Sequence, residues 1–206
     1  MLVKVCGICR EEQALWAAEA GADFCGFIFH PQSPRNVAPK WVASVPTGKM
    51  KRVGVFVKQE AKEILEIMAE ARLDYAQLHG EQSVDCALAI GRDKVIRVLW
   101  PERFTHRAQL YAKLLSFAES SAYYLLDAGE KGGGSGRSLD WADLAGLDLP
   151  HPWFLAGGLK ASNVLAAVAE SKPDGVDFNS GLEDQPGVKS QSKIFQCLRL
   201  VHSHIH

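Results

Sequence analysis

Short apolar runs rich in β-branched residues alternate along the chain with longer stretches whose apolar positions recur at helical spacing. The alternation persists from one terminus to the other. It predicts strands at about 2–6, 24–29, 52–57, 75–79, 94–99, 123–127, 153–156 and 175–178. Between the first two, Glu11 and Glu12 suit the positive end of a helix dipole, and Gly21 suits the left-handed turn that stops a helix. Ile64, Leu65, Met68 and Ala71 form one apolar stripe, and Ile194, Phe195, Leu198 and Val201 another, both expected to pack on the outside of a sheet. Gly132, Gly133, Gly134 and Gly136 crowd the stretch after the sixth strand, which reads as a loop. Eight strands are the number that closes a parallel (β/α)8 barrel, although an open doubly wound sheet has the same alternation.

Composition narrows the function classes. With 47% hydrophobic and 23% charged residues, the chain has the make-up of a soluble globular protein, read as one TIM-barrel domain over residues 1–206. Lys plus Arg number 23 against 24 Asp plus Glu, so there is no positive excess to neutralise a nucleic acid or an anionic membrane. The apolar runs are strand-sized, far short of the ~20 residues that span a bilayer. Strand-like residues begin at Leu2, which leaves no room for a signal peptide ahead of them and suggests a cytoplasmic protein. The cysteines at 6, 9, 25, 86 and 197 are odd in number and irregularly spaced, unlike a disulfide framework; most are expected to be small buried residues.

In a closed parallel barrel all strands end on one face, and active sites are built there from the loops that follow. The residues at those ends are Cys6, the Ser33-Pro34-Arg35 loop, His79, Asp127, Ala156-Gly157-Gly158 and Asp177-Phe178-Asn179-Ser180-Gly181. The last two segments follow strands seven and eight, where phosphate sites occur in this architecture. Glycines there let an anion reach backbone N–H donors. Ser180-Gly181-Leu182-Glu183 also reads as a capping box opening a short helix, whose N-terminus would favour the same anion. Taken singly, these segments are equally a tight turn and a cap. Cys6 could form a thiolate if positive potential from helix N-termini and Arg35 lies near, or be an inert core residue. Asp127, after the apolar run 123–126, could have the raised pKa of an acid catalyst or could cap the following loop.

The ordered set Lys4-Val5-Cys6-Gly7-Ile8, Ser33-Pro34-Arg35, Gly54-Val55-Phe56, Gln77-Leu78-His79-Gly80, Leu126-Asp127, Gly134-Ser135-Gly136 with Asp140-Trp141, Ala156-Gly157-Gly158-Leu159, and Gly175-Val176-Asp177 with Ser180-Gly181 spans nearly the whole chain. It resembles the phosphoribosylanthranilate isomerase family of tryptophan biosynthesis. The resemblance implies a closed barrel and an Amadori rearrangement of N-(5-phosphoribosyl)anthranilate, a small phosphorylated substrate, with no metal or cofactor. It further implies Asp127 as general acid, Cys6 as general base, Arg35 near the anthranilate carboxylate, His79 and Asp177 near the substrate, and Gly157, Gly158, Asn179, Ser180 and Gly181 around the phosphate. Three positions depart from the family pattern. Cys9 stands where a threonine or other polar residue is usual, Asn179 where a serine is common, and Leu139 where an aromatic is usual.

Two other readings use the same residues. Cys6-Gly7-Ile8-Cys9 matches the spacing of a thiol–disulfide redox pair, but such a pair leaves the glycine loops after strands seven and eight unexplained. A non-catalytic phosphate-ligand-binding barrel would keep those loops without needing both Cys6 and Asp127. His202, His204 and His206 alternate, so one helical face cannot gather them around a metal. Oligomeric state is not encoded in any of these patterns.

Overall fold

Strands that are apolar on both faces must be covered on both, and the computed structural model, which describes residues 1–128 and 141–203, shows how. Eight strands, β1 (Leu2–Val5), β2 (Phe24–Ile28), β3 (Lys51–Phe56), β4 (Tyr75–Leu78), β5 (Val95–Leu99), β6 (Tyr123–Asp127), β7 (Trp153–Ala156) and β8 (Gly175–Phe178), pair in sequence order. All pairings are parallel, and β8 returns to β1 to close the barrel. The helices α1 (Glu11–Glu19), α2 (Pro39–Ser44), α3 (Ala61–Ala71), α4 (Val84–Ile90), α5 (Arg107–Leu115), α6 (Trp141–Leu144), α7 (Val164–Ser171) and α8 (Gln191–Ser203) connect the strands and follow the last. The crowded glycines at 132–136, Ser135, Leu139, Asp140, His204 and His206 lie outside the described residues. No helix among the described residues is long and apolar enough to cross a membrane.

Closure follows from the alternation of side chains. Outward residues such as Val3, Val5, Phe27, Phe56, Leu126 and Val176 meet the helices and are buried. Each such side chain contributes about 1.5–3 kcal/mol relative to exposure. Inward residues Phe24, Val53, Ile96, Val98, Leu125 and Phe154 fill the barrel interior. At its N-terminal end, Phe24 packs edge-on or tilted against Tyr75, Tyr123 and Phe154, with ring centroids 5.3–5.9 Å apart. Gly175 makes room for this plug, since a Cβ there would come within 2.6 Å of the Phe154 ring.

The helix boundaries agree with the local chemistry. Glu11 and Glu12 occupy the first turn of α1, and Gly21 (φ 87°) turns the chain while the Ala22 amide bonds back to the Ala17 carbonyl. Two stripe residues are corrected. Leu65 is 41% exposed, so α3 buries Ile64, Met68 and Ala71. Phe195 is only half-buried, and Cys197 takes its place beside Ile194, Leu198 and Val201. In each case the displaced residue follows its neighbour by one position, about 100° around the helix and off the buried stripe. The chain also contains an unanticipated antiparallel pair, β9 (Glu183–Gln185) and β10 (Val188–Lys189), turned at Gly187 (φ 82°).

Candidate active site

The two-residue period that fills the barrel also places chemistry at its mouth. On β1 the inward positions climb from Leu2 through Lys4 to Cys6, and on β8 from Gly175 through Asp177 to Asn179. Because Lys4 and Asp177 are register partners across β1 and β8, their side chains meet inside the barrel. The Lys4 Nζ donates to both Asp177 carboxylate oxygens at 2.9 Å, with the lysine side chain fully buried. Cys6 sits one inward step above Lys4, its amide donating to the Phe178 carbonyl at 2.7 Å. Gly26 leaves space for the thiol, because a Cβ there would come 2.6 Å from Cys6 Sγ.

Burial pushes the Cys6 thiol above its ordinary range, and the Lys4 ammonium is the chief influence pulling it back. Burial also works against the Lys4 charge, but Asp177 and Cys6 together hold the ammonium above the usual lysine range. The positive potential at Cys6 therefore comes mainly from Lys4, with Lys189 adding to it. Arg35, expected to supply it, also interacts electrostatically with Cys6, while Lys4 is the larger source that the strand-end reading leaves out. Lys4→Met should strand the Asp177 charge and destabilise the fold by about 3–5 kcal/mol. The double variant Lys4→Met/Asp177→Asn should recover much of that loss, which thermal denaturation of the three proteins measures. An unchanged melting temperature in Lys4→Met would show that the pair contributes nothing.

Across the mouth, His79 Nε2 lies 4.0 Å from Asp127 Oδ2, both side chains about 30% exposed (30% and 28%). Burial holds the imidazole below its ordinary range against the pull of Asp127, so at neutral pH the ring is uncharged. Gln77 Nε2 is 3.2 Å from His79 Nδ1; if the amide donates there, the ring proton sits on Nε2, facing Asp127. Trp100 packs edge-on against the same imidazole at 5.4 Å between centroids.

A cleft of about 440 Å³ joins these groups. Cys6, His79, Asp127 and Asp177 line it, together with Gly157, Gly158, Asn179 and Ser180 from the loops after β7 and β8. Gly157 (φ 105°) and Gly158 (φ 60°) take backbone conformations that other residues resist. Gly181 does not wall this cleft but lines an adjoining cavity of about 380 Å³ with Gly158 and Ser180. It also seats one loop on the other: a Cβ on Gly181 would run into the Leu159 carbonyl.

The expected capping box does not form. Residues Ser180–Leu182 make a single 3-10 turn whose preceding residue, Asn179, makes no side-chain capping bond. Glu183 instead enters β9, where its carboxylate takes Arg35 in a two-pronged bond (2.8 and 2.6 Å) and Lys189 at 2.7 Å. Burial opposes the Glu183 charge, yet Arg35 and Lys189 hold it below the usual carboxylate range. Lys189 also donates to the Asn179 carbonyl and to Asn179 Oδ1 at 2.9 and 2.8 Å, so Asn179 Oδ1 is already engaged. Arg35 is absent from the cleft wall, and its stem crosses Gly7 so closely that a Cβ there would come 2.7 Å from Arg35 Cδ.

Lys4, Gln77, Glu183 and Lys189 are the polar groups that reading the strand ends does not single out. For two of them a signal exists in the sequence: Lys4 lies two residues before Cys6, and Gln77 two before His79, each on the same strand face. Glu183 and Lys189 come together only through the β9–β10 pairing, which no periodicity announces. The five cysteines are free; Cys6, Cys25, Cys86 and Cys197 are buried, and the half-buried Cys9 donates to the Gly7 carbonyl. Cys6 and Cys9 thus lie in the turn after a barrel strand, not at the start of a helix as a redox pair would.

The family model described as N-(5'phosphoribosyl)anthranilate (PRA) isomerase matches residues 3–199. An N-(5'-phosphoribosyl)anthranilate isomerase of Desulfovibrio desulfuricans is 58% identical over 198 residues, covering 96% of this chain and 94% of that protein. The crystal structure of the Thermus thermophilus phosphoribosyl anthranilate isomerase superposes with a TM-score of 0.82 at 35% identity, covering 99% of this chain and 100% of that one. A further phosphoribosyl anthranilate isomerase, solved in complex with reduced 1-(o-carboxyphenylamino)-1-deoxyribulose 5-phosphate, gives 0.80 at 30% identity over 98% of this chain and 100% of its own.

Proposed function

The chain belongs to the N-(5'-phosphoribosyl)anthranilate isomerase family, and on that premise we propose how its own residues carry out the rearrangement. The reaction converts N-(5'-phosphoribosyl)anthranilate to 1-(2-carboxyphenylamino)-1-deoxyribulose 5-phosphate in tryptophan biosynthesis. The observation that carries the assignment of roles is the placement of Cys6 and Asp127 in one cleft, with the β7 and β8 loops at its edge. Asp127 gives its proton to the ribose ring oxygen, which breaks the C1′–O bond and leaves a Schiff base between C1′ and the anthranilate nitrogen. That imine acidifies C2′–H. Cys6, as thiolate, removes the C2′ proton, and the electron pair moves to form an enolamine. Tautomerisation, with a proton added at C1′ and one lost from the C2′ hydroxyl, gives the ketone product. Protons given and taken balance, as an isomerisation requires.

We assign the supporting groups on the geometry of the cleft. Lys4 stabilises the thiolate, and Asp177 positions Lys4, so Asp177 acts through the lysine. The neutral His79 faces Asp127 and helps orient its carboxyl group. The substrate phosphate is bound by backbone donors at Gly157, Gly158, Ser180 and Gly181, with Asn179 holding the turn through Lys189. Arg35 reaches the anthranilate carboxylate by sharing the guanidinium that now grips Glu183. The direct experiment is to add freshly prepared phosphoribosylanthranilate to the protein and follow the decay of anthranilate fluorescence. Absence of turnover by the reduced, folded protein would overturn the proposal.

Gly181 provides a test of the phosphate cradle that leaves the acid and base in place. Gly181→Ala should push the two loops apart, because the new methyl would run into the Leu159 carbonyl and press on Lys160 Cβ at 3.1 Å. Losing one charge-assisted donor should raise KM by roughly tenfold or more while kcat stays within a few fold. Inorganic phosphate inhibition should weaken in parallel, and an unchanged inhibition constant would place the anion elsewhere.

A further inference from the structure

On β5, Ile96 and Val98 fill the barrel interior, so Arg97 between them points outward into the layer that the other strands fill with apolar side chains. It is only 2% exposed. Its Nη1 and Nη2 donate to the Gln82 and Ser83 carbonyls at 2.7 and 3.3 Å, and the guanidinium carbon lies 4.3 Å from the Phe117 ring centre. Its Nε has no acceptor, and no carboxylate pairs with this buried charge among the described residues. A buried cation without a counter-ion is costly, and burial accordingly weakens its hold on the proton.

A cavity of about 360 Å³ adjoins Arg97, between the turn before α4 and helix α5. It shares no wall residue with the cleft that holds Cys6 and Asp127. Gln82, another wall residue, also has both side-chain amide atoms buried without a partner. The charged wall residues are Arg97, Arg103, Lys113 and Glu81, and Glu81 is taken by Arg103 at 3.0 Å. That leaves the positive charges of Arg97 and Lys113 in excess. The remaining surface includes Phe104, Trp100 with the Arg103 guanidinium 4.0 Å from its ring centre, and Phe117 with Lys113 Nζ 4.8 Å from its own.

We propose that this cavity is a second binding site, for a small aromatic carboxylate, with Arg97 and Lys113 supplying the positive charge opposite the carboxylate and Phe104 among the apolar walls around the ring. A carboxylate supplies the missing counter-charge, and its planar acceptor pair suits a guanidinium. The aromatic walls favour a ring over a bare inorganic anion. The site needs no assumption about catalysis at the barrel mouth.

Calorimetric titration with 2-naphthoate tests it, run with and without excess inorganic phosphate to occupy the barrel mouth. The parent protein should bind one equivalent saturably, unaffected by phosphate. The neutral analogue 2-naphthamide should bind roughly tenfold more weakly or worse, as should 2-naphthoate with Arg97→Met, which keeps the stem and loses the charge. Lys113→Ala, a change on the exposed side of α5, should weaken binding several-fold and serves as the deciding variant if Arg97→Met does not fold. Absence of saturable binding, equal affinity for the amide, displacement by phosphate, or unaltered affinity in the folded variants would each overturn the proposal.

Discussion

Cys6→Ala should lower isomerase turnover by about 10²- to 10⁴-fold, the range that a positioned proton-transfer group contributes. Under the proposed roles the nearest charged neighbour offers no substitute base, because Lys4 is protonated and bonded to Asp177. The fold should survive, because the thiol sits in space left by Gly26 and its loss removes a single buried atom. Circular dichroism and product binding should therefore match the parent. The parent's pH profile gives the same assignment a second reading. Burial raises the thiol's pKa, so the thiol is mostly protonated at neutral pH in the free protein. The value of kcat/KM should consequently rise with pH as the thiolate forms. In Cys6→Ala that rise should disappear with the activity. Parental turnover in a folded Cys6→Ala protein would remove the base assignment entirely.

Asp127→Asn should cost roughly 10²-fold or more in kcat, since the amide keeps the shape but has no carboxylic proton to give to the ring oxygen. The loss should fall on kcat and kcat/KM alike, the pattern of an interaction made in the transition state. An increase confined to KM would make Asp127 a binding residue. His79→Asn sharpens the comparison by removing the imidazole 4.0 Å away while leaving the acid, and should have a smaller effect than Asp127→Asn in the same fluorescence assay.

Most of the barrel was legible in the sequence because its strands are short, apolar and separated by helical spacing. The strand at 123–127 is found as predicted, and those at 153–156 and 175–178 also keep both ends. Closure itself is not a property of periodicity. It depends on β8 finding β1 across the whole chain; the count of eight strands only leans toward it, and the ordered family segments supply it. At the mouth, residues that end strands, such as Cys6, His79 and Asp127, could be located from the chain alone. Groups that matter through long-range pairing could not. Lys4 and Asp177 are separated by 173 positions and meet only because β1 and β8 are in register. Glu183 reads locally as half of a capping box because its spacing from Ser180 fits one. In the fold, two cations, Arg35 and Lys189, outweigh the backbone amide that such a box would offer.

The knot of rings formed by Phe24, Tyr75, Tyr123 and Phe154 has a consequence for traffic through the enzyme. Among the described residues, these rings fill the barrel interior at the end opposite the cleft. A substrate and a product that share the cleft lined by Cys6 and Asp127 would compete for it, so retained product should slow the next turnover.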